Sequence, residues 1–270
     1  MVGVTGGQGR GTAQLTTDLR AAYDNAADDW AGGPELVYEQ LARALVASAA
    51  VPVAGRRVLD LGAGTGVAGR AALAAGARQV VAADLAVAML RRGGAALHPV
   101  AADAAALPFR DGGFDLVVAA FSLSHLSSLP AGLGEARRVG LALAASSFAP
   151  GWDHPAKAAV DEVLRSAGYR PPAWYVKFKR DIEPQAGDPA VLAGHAAAAG
   201  FRRVRLHTAT VPTGLAAPAQ LASWRLGMAH VAPFVGSLDE ADRAALRSAA
   251  ERAVAGTGPL VVAMTILTAS

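Results

Sequence analysis

The sequence has 270 residues, no Cys, a hydrophobic fraction of 53% and a formal net charge of +3. The absence of Cys excludes disulfides, thiolate metal sites and a Cys nucleophile. Its longest strongly apolar stretch, 260–267, is far shorter than the roughly 20 residues of a membrane-spanning helix, so no membrane partner is expected. The basic residues are scattered among 22 acidic ones rather than clustered, which does not favour a nucleic-acid partner.

The N-terminal region is rich in Gly and Thr and has no apolar core typical of a secretory signal. We therefore expect a disordered tail over 1–17 and a cytoplasmic protein. The next residues predict two helical pieces that break at Gly32-Gly33-Pro34 and form an N-terminal helical cap over 18–54. The length of the chain allows one large domain or two small ones.

Strand and helix signals alternate from residue 57 onward. Short apolar runs predict strands at 57–61, 79–83, 97–101, 114–120 and 141–148. Helical patterns lie between them at 67–75, 86–92 and 126–139. This alternation is typical of βαβ units, and the near-continuous apolar strands indicate a parallel sheet buried on both faces. The predicted fold class is therefore α/β with a doubly wound, mainly parallel sheet.

The second half is less regular. It predicts helices at 155–167, 189–199, 218–228 and 238–255, and strands at 201–208 and 260–268, the last at or near a sheet edge. An irregular cover is expected at 169–187 because this stretch carries three prolines. We therefore expect one domain over 55–270, with lid insertions at about 150–187 and 212–256.

The most informative segment is VLDLGAGTG at 58–66, where a strand enters a turn with glycines at alternate positions. Such a turn lets a ligand approach the main chain closely at the first βα connection. The following residues also fit the GxGxxG dinucleotide pattern, but Asp60 would repel a pyrophosphate. It would attract a ligand that carries an ammonium and a sulfonium, which favours S-adenosylmethionine over NAD. Alternatively, Asp60 caps the following helix.

Two further acids follow the next two strands. Asp84 closes the second strand, where a carboxylate can accept hydrogen bonds from both hydroxyls of a ribose. Asp103 follows the third strand and can accept from an adenine amino group, or else it is a turn residue. Met89 lies one turn into the intervening helix, where its side chain can cover the adenine face.

Four ordered blocks carry a family resemblance: VLDLGAGTG, ADLAVAML at 83–90, ADAAALPF at 102–109 and FDLVVAAF at 114–121. Together they resemble the class I S-adenosylmethionine-dependent methyltransferases of the small-molecule type, nearest to the ubiquinone/menaquinone C-methyltransferase group. The resemblance is close over about 55–148 and loose elsewhere. It implies a seven-stranded, Rossmann-like sheet with a helical lid, and S-adenosylmethionine as the cofactor.

The resemblance also implies roles for individual residues. Asp60, Gly62, Ala63 and Gly64 would face the methionine part of the cofactor, and Asp84 and Leu85 would bind its ribose. The adenine would be bordered by Met89, Asp103 and Ala104. Phe121 would line the passage to the substrate, and Tyr23 would close over the cofactor.

This sequence departs from the family pattern in two places. Ala86 stands where Ser is usual, and the Pro-Gly-Gly turn before the fifth strand is missing. The fold is expected to survive this shortening, with a tight connection between the fourth and fifth strands.

The residue types after the fourth strand exclude several classes of methyl acceptor. The Asn/Asp-Pro-Pro-Tyr motif of base methyltransferases is absent after the fourth strand, where 119–122 reads AAFS, and no paired glutamates stand there. No cluster of acids and histidines has metal-ligand spacing, so no metal is expected. A small organic molecule is the remaining partner, and an aromatic or polyketide-like secondary metabolite is favoured because many aromatics fall outside the predicted sheet.

His125 follows the fourth strand and is the candidate general base, with Tyr23 as the second catalytic candidate. His125 can equally be a hydrogen-bonded residue at a helix start. Two other functions stay open: a cyclase-like enzyme that keeps the cofactor without methylating, and a non-catalytic RNA-binding module. The sequence does not decide between a monomer and a homodimer.

Overall fold

The computed structural model describes residues 6–126 and 128–270, and a single sheet lies at its centre. Its seven strands are β1 (Arg57–Leu61), β2 (Gln79–Asp84), β3 (Pro99–Ala101), β4 (Leu116–Ala120), β5 (Leu143–Phe148), β6 (Arg205–Pro212) and β7 (Val261–Ala269). The helices in the described ranges are α1 (Gly6–Gly32), α2 (Pro34–Ala47), α3 (Val67–Ala74), α4 (Val87–Gly93), α5 (Leu129–Val139), α6 (Pro155–Ser166), α7 (Ala173–Lys177), α8 (Glu183–Gly187), α9 (Pro189–Ala198), α10 (Pro218–Leu226), α11 (Ala232–Ser237) and α12 (Glu240–Val254).

The strand order is β3-β2-β1-β4-β5-β7-β6. All neighbouring pairs are parallel except those of β7, which runs antiparallel to both β5 and β6. The prediction of a seven-stranded, mainly parallel, doubly wound sheet is therefore confirmed. The chain reverses its direction of travel across the sheet between β1 and β4. In such sheets a crevice opens at the carboxyl ends of the two strands that flank this point.

Successive residues of each central strand face opposite sides of the sheet, and both sides are covered. Val58 packs in one core with Leu41 and Leu45 of α2, all fully buried. Leu59 packs in the other core with Leu133 of α5. Burial on both faces explains why these strands are apolar along their whole length. It also makes α2 part of the core, although the predicted domain boundary near residue 55 leaves α2 outside it.

The N-terminal region differs from the sequence prediction. Helix α1 begins at Gly6, so the expected disordered tail over 1–17 is wrong for residues 6–17, while residues 1–5 lie outside the described residues. Leu15 and Leu19 of this helix are buried, so tertiary contacts stabilise a helix that the composition alone does not favour. The predicted break is confirmed, since α1 ends at Gly32 and α2 begins at Pro34.

Other element bounds also shift. A 3₁₀ turn occupies 95–97, so β3 begins only at Pro99. The buried Phe201 completes the end of α9 through its N–H to Ala196 O, and β6 accordingly begins later than predicted. The stretch 169–187 is not irregular, because α7, a π-helical turn at Phe178–Ile182 and α8 follow one another. The last strand, β7, lies near an edge as predicted, next to the edge strand β6.

The connection between β4 and β5 is tight, as predicted. Helix α5 ends at Val139, and β5 begins at Leu143. Gly140 bridges this corner to Phe114, and an added Cβ there would lie 2.4 Å from Cγ2 of Val117. A glycine therefore lets α5 turn directly into the sheet.

Some of the helices that follow β5 and β6 lie near the carboxyl ends of β4 and β5. Those after β5 and after β6 surround a cavity that also includes residues at the ends of β4 and β5. No helix in the described part of the chain combines the length and apolarity that a membrane crossing requires.

Candidate active site

The turn after β1 ties together the ends of three strands. Gly62 and Gly64 both have left-handed backbones, with φ of +67° and +54°. Gly64 N–H donates to Asp84 Oδ2 over 2.7 Å, which joins the turn to the end of β2. A Cβ on Gly62 would lie 2.4 Å from Cβ of Ser122, just beyond β4. Glycine is therefore required at residue 62 both by its backbone angle and by the close approach of Ser122.

Asp60 occupies a different place from the one predicted. Its side chain is 1% exposed, lies behind the turn and accepts a 2.6 Å hydrogen bond from Gly69 N–H in the first turn of α3. Burial raises the pKa of Asp60 to about 7, while the Gly69 amide opposes that rise. The expected direct contact with the cofactor is therefore corrected: Asp60 does not line the cavity and instead fixes the start of α3.

Asp84 and Asp103 line the crevice. Asp84 Oδ1 accepts from Ala86 N–H over 2.8 Å, in addition to the Gly64 contact of Oδ2, and the Leu85 amide also donates to this carboxylate. Burial raises the pKa of Asp84, and the backbone amides partly offset this rise. Asp103 Oδ1 accepts from Ala105 N–H over 2.8 Å, which holds the turn after β3. Two carboxylates therefore face the crevice from neighbouring strand ends.

The crevice encloses a cavity of about 150 Å³. Of the residues that the sequence analysis assigned to the site, all but Asp60 line it: Tyr23, Gly62, Ala63, Gly64, Asp84, Leu85, Met89, Asp103, Ala104, Phe121 and His125. The side chain of Met89 is 1% exposed and packs with Ala27 and Trp30 of α1. The sequence therefore located this half of the site almost completely, because its residues follow directly from the ends of consecutive strands.

Several lining residues escaped the sequence analysis. Trp30 and Tyr38 stack with their ring centroids 5.2 Å apart, and Tyr38 also meets Phe121 edge-on at 5.3 Å. Ser122 donates to Leu61 O over 2.6 Å. The aromatic content of 21–38 was the signal available for the first two, but the sequence does not show that α1 and α2 bring both rings to the crevice.

Tyr23 and His125 form a pair between α1 and the loop after β4. The Tyr23 hydroxyl lies 3.0 Å from Nε2 of His125, and Nδ1 lies 3.2 Å from Oγ of Ser124. Burial lowers the pKa of His125 to about 4 and raises that of Tyr23 well above its usual value. Both groups are therefore neutral at pH 7. When Nδ1 holds the imidazole proton, Nε2 accepts a hydrogen bond from the tyrosine.

Phe121 has a strained backbone, with φ of +56°. Its N–H donates to Ser146 O over 3.1 Å, and its ring lies 4.7 Å from that of Phe148. A left-handed conformation at a bulky residue is uncommon and clusters at functional sites. Here it turns the chain after β4, where Phe121 lines two cavities.

The second cavity has a volume of about 640 Å³ and adjoins the first. Both are lined by Tyr23, Tyr38, Phe121 and His125. The other aromatic residues that line the larger cavity come from β5 and the helices beyond it: Phe148, Trp152, Trp174, Tyr175, Phe178 and Trp224. Phe234, which also lies outside the sheet, packs on Tyr169 and does not line this cavity.

Two of the remaining histidines have defined places. The ring of His230 stacks on Tyr175 with centroids 3.7 Å apart and lines the larger cavity. Burial, together with the charges of Arg225 and Lys179, lowers its pKa to about 3. His154 caps α6, since Nδ1 accepts from Ala156 N–H over 3.2 Å. Within the described ranges, no group of three acids or histidines is placed to hold a metal ion.

Comparison with known proteins now identifies the family. Residues 58–140 match the model of a methyltransferase domain. A demethylmenaquinone methyltransferase from Mycobacterium tuberculosis is 34% identical over 169 residues, which cover 58% of this chain and 70% of the relative. The corresponding enzyme of Mycolicibacterium paratuberculosis is 36% identical over 168 residues, covering 58% and 72%. The chain belongs to the class I S-adenosylmethionine-dependent methyltransferases.

Within that family it resembles the menaquinone C-methyltransferases, and it is a methyltransferase of small molecules. Solved structures share its fold. A protein assigned to an antibiotic biosynthesis pathway of Anabaena variabilis superimposes with a TM-score of 0.59 at 16% identity, covering 84% of this chain and 96% of that one. The [4+2]-cyclase SpnF gives a TM-score of 0.51 at 19% identity, covering 86% and 80%.

Proposed function

We propose that the chain binds S-adenosylmethionine in the smaller cavity and methylates a flat, quinol-like aromatic molecule in the larger one. One observation carries the proposal. The two cavities meet at a shared wall of Tyr23, Tyr38, Phe121 and His125. A donor on one side and an acceptor on the other would be held in contact away from bulk water, which is what an in-line displacement requires.

The residues of the smaller cavity fit this cofactor. Asp84 offers a carboxylate to a ribose diol, Asp103 offers an acceptor to an adenine amino group, and Met89 supplies an apolar surface for the base. The carboxylates oppose a pyrophosphate and suit the cationic charges of the methionine part. When bound, S-adenosylmethionine supplies an activated methyl group on a sulfonium.

Helix α1 must move for the cofactor to enter. The smaller cavity is below the roughly 300 to 1,000 Å³ of ordinary ligand pockets, and α1 contributes part of its lining. This helix is held on α4 by Asp24, which accepts from Ala88 N–H over 2.7 Å, and by an ion pair of Asp28 with Arg92. Buried α1 side chains such as Ala27 and Trp30 also pack against Met89 of α4, so an opening motion of α1 would separate this packing while leaving the sheet intact.

The Tyr23–His125 pair would act on the acceptor. Methylation of a quinol ring requires the acceptor to lose one proton. Because Nε2 of His125 already accepts from Tyr23, the Tyr23 hydroxyl would take this proton while it passes its own to Nε2. The low pKa of His125 makes the imidazole a weak base, and the same hydroxyl fixes the ring orientation through Nε2. Phe178 stacks on the same imidazole at 4.9 Å and completes its position.

The substrate class rests on two supports. The relatives at 34% and 36% identity are named for demethylmenaquinone, whose ring is a naphthoquinone. The larger cavity has aromatic side chains on several of its walls, and flat rings pack well against such walls. A quinol-like ring is therefore favoured over other polyketide-like metabolites.

The test is incubation with S-adenosylmethionine and 1,4-dihydroxynaphthalene, followed by mass spectrometry. A product heavier by one methylene group, with release of S-adenosylhomocysteine, supports the proposal. An isomer of unchanged mass would support the cyclase-like alternative. A chain that does not bind S-adenosylmethionine in titration calorimetry overturns the proposal.

A further inference from the structure

Arg225 is a buried cation that the proposed reaction does not use. It lies on α10 and is 6% exposed. It lines the larger cavity and also a neighbouring cavity of about 380 Å³. Arginine is almost never buried to this degree unless its charge is paired and its N–H groups find acceptors. The charge of Arg225 therefore needs an explanation within this cavity.

The protein compensates this charge only in part. Nη2 donates to Asp161 Oδ1 over 2.7 Å, but the Asp161 side chain is 47% exposed and so is largely hydrated. Nε is buried and has no hydrogen-bond acceptor among the described residues. A buried donor without an acceptor costs about 1 to 3 kcal/mol, more for a charged group. The guanidinium thus keeps hydrogen-bonding capacity that its protein neighbours leave unused.

The surroundings of Arg225 favour an anion. Arg170, which lines the neighbouring cavity, forms no ion pair within the part of the chain that the structure describes. At the larger cavity, Lys157 pairs with Asp153 and Lys179 with Glu183, so these charges largely cancel. The buried His230 beside Arg225 is neutral at pH 7. Arg225 is therefore the one buried charge among the described residues lining the larger cavity, and it is positive.

A row of rings connects Arg225 with the Tyr23–His125 pair. Phe178 stacks on His125 at 4.9 Å, Tyr175 lies 6.3 Å from Phe178, and His230 stacks on Tyr175 at 3.7 Å. His230 and Tyr175 line both cavities together with Arg225. A flat molecule with one end at the guanidinium would therefore lie against Tyr175 and His230 and extend towards His125.

We propose that the larger cavity selects an aromatic acid, whose carboxylate binds Arg225 while its aromatic body extends along the row of rings towards His125. The idea rests on the proposed function and names its substrate class more closely. A guanidinium binds a carboxylate through two parallel N–H donors, and such charge-assisted bonds are about twice as strong as neutral ones. The acid would complete the hydrogen bonding that Asp161 leaves unfinished.

The test compares 1-hydroxy-2-naphthoate with its methyl ester, which has the same rings without the charge. In titration calorimetry, the acid is expected to bind about tenfold more tightly than the ester. Arg225→Gln should remove most of this preference by weakening acid binding while leaving ester binding within about twofold. Arg247→Gln, on the exposed face of α12, is the matched control and should change neither. Equal binding of acid and ester by the unaltered chain overturns the inference.

A second variant covers the case in which Arg225→Gln fails to fold. Asp161→Asn removes the half-exposed carboxylate that competes for the guanidinium, so acid binding should tighten several-fold while ester binding stays constant. Loss of a purely structural ion pair would not separate the two ligands. An unchanged ratio of acid to ester affinity in Asp161→Asn contradicts the inference.

The two proposals fail in different ways. A preference for the acid without any methyl transfer would leave the anion site standing and overturn the proposed function. Methyl transfer to 1,4-dihydroxynaphthalene and to its 2-carboxylate with equal kcat/KM would leave the function standing and overturn the anion site.

Discussion

The two cavities of this protein are built in different ways. The smaller one is formed by the turns that follow β1, β2, β3 and β4, with α1 across it, and its lining includes two carboxylates, the exposed Arg20 and several hydroxyl groups. The larger one is formed mostly by helices outside the sheet, and its lining is aromatic with one buried arginine. Residues of the first are fixed by the register of a parallel sheet, whereas those of the second depend on how separate helices pack.

The difference indicates which part of the molecule sets the specificity for the cofactor and which part sets the specificity for the substrate. The carboxyl ends of parallel strands hold the few residues that follow each strand at fixed positions. This suits a cofactor that is the same in every member of a family. Helices and loops outside the sheet tolerate changes of length and direction, which suits substrates that differ. The smaller cavity is lined by the acids Asp84 and Asp103, the larger by Arg225, so the two should prefer ligands of opposite charge.

The largest expected effect is on the affinity of the smaller cavity for the cofactor. Asp84→Ala should weaken binding of S-adenosylmethionine by more than about 100-fold, because two charge-assisted hydrogen bonds to the ribose are lost. The turn also loses the contact with Gly64 N–H. Titration calorimetry measures the change, and Glu162→Gln on the exposed side of α6 is the control. Undiminished binding by Asp84→Ala would place the cofactor elsewhere.

The next effect concerns the stability of the turn itself. Gly62→Ala should lower the free energy of unfolding by about 3 kcal/mol, since the new Cβ combines a left-handed backbone with a clash against Ser122. Gly134→Ala is the matched control: it lies within α5 and an added Cβ meets nothing within 4 Å. That variant should be stabilised by up to about 1 kcal/mol. Urea unfolding measures both, and equal changes would show that the turn is not tightly constrained.

The stability of the folded chain should depend on pH through His125, which lies on the wall between the cavities. The pKa of His125 falls from 6.5 to about 4 on burial, so the unfolded chain binds the proton more tightly. Stability from this group is present above pH 6.5 and is lost as the pH falls towards 4. Asp60 acts oppositely, because its pKa rises to about 7 and its contribution grows as the pH falls from 7.

Comparison with His125→Gln separates the effect of His125 on stability from that of Asp60. Between pH 7 and pH 4.5, the unaltered chain should lose about 2 kcal/mol more unfolding free energy than His125→Gln. Urea unfolding at both pH values gives the two differences. If both chains show the same pH dependence, His125 is not buried as a neutral group.

The smallest expected effect distinguishes the roles of Tyr23 and Tyr38 on the wall between the two cavities. Tyr23→Phe removes the hydroxyl that fixes His125 and should lower kcat about tenfold, with little change in cofactor affinity. Tyr38→Phe is the control, because Tyr38 is held by its ring contacts with Trp30 and Phe121. Equal losses in the two variants would mean that the Tyr23 hydroxyl does not position the histidine.

Prediction from the sequence succeeded wherever a residue follows directly from a strand. Gly62, Gly64, Asp84 and Asp103 line the smaller cavity because parallel strands end at a common edge, so positions along the chain convert into neighbours in space. Asp60 shows the limit of this logic. It lies within β1, where side chains alternate between faces, and its carboxylate points to α3 rather than to the crevice.

The sequence by itself determined the α/β fold, the crevice between β1 and β4 and the residues that directly follow its strands, because hydrophobic periodicity and the glycine turn are local signals. Only the tertiary structure decided that α1 is a long helix, that Tyr23 meets His125 across 102 positions, and that Arg225 is buried beside Tyr175 and His230. These contacts join segments that are distant in the chain. Their partners are selected by packing, which no local pattern records.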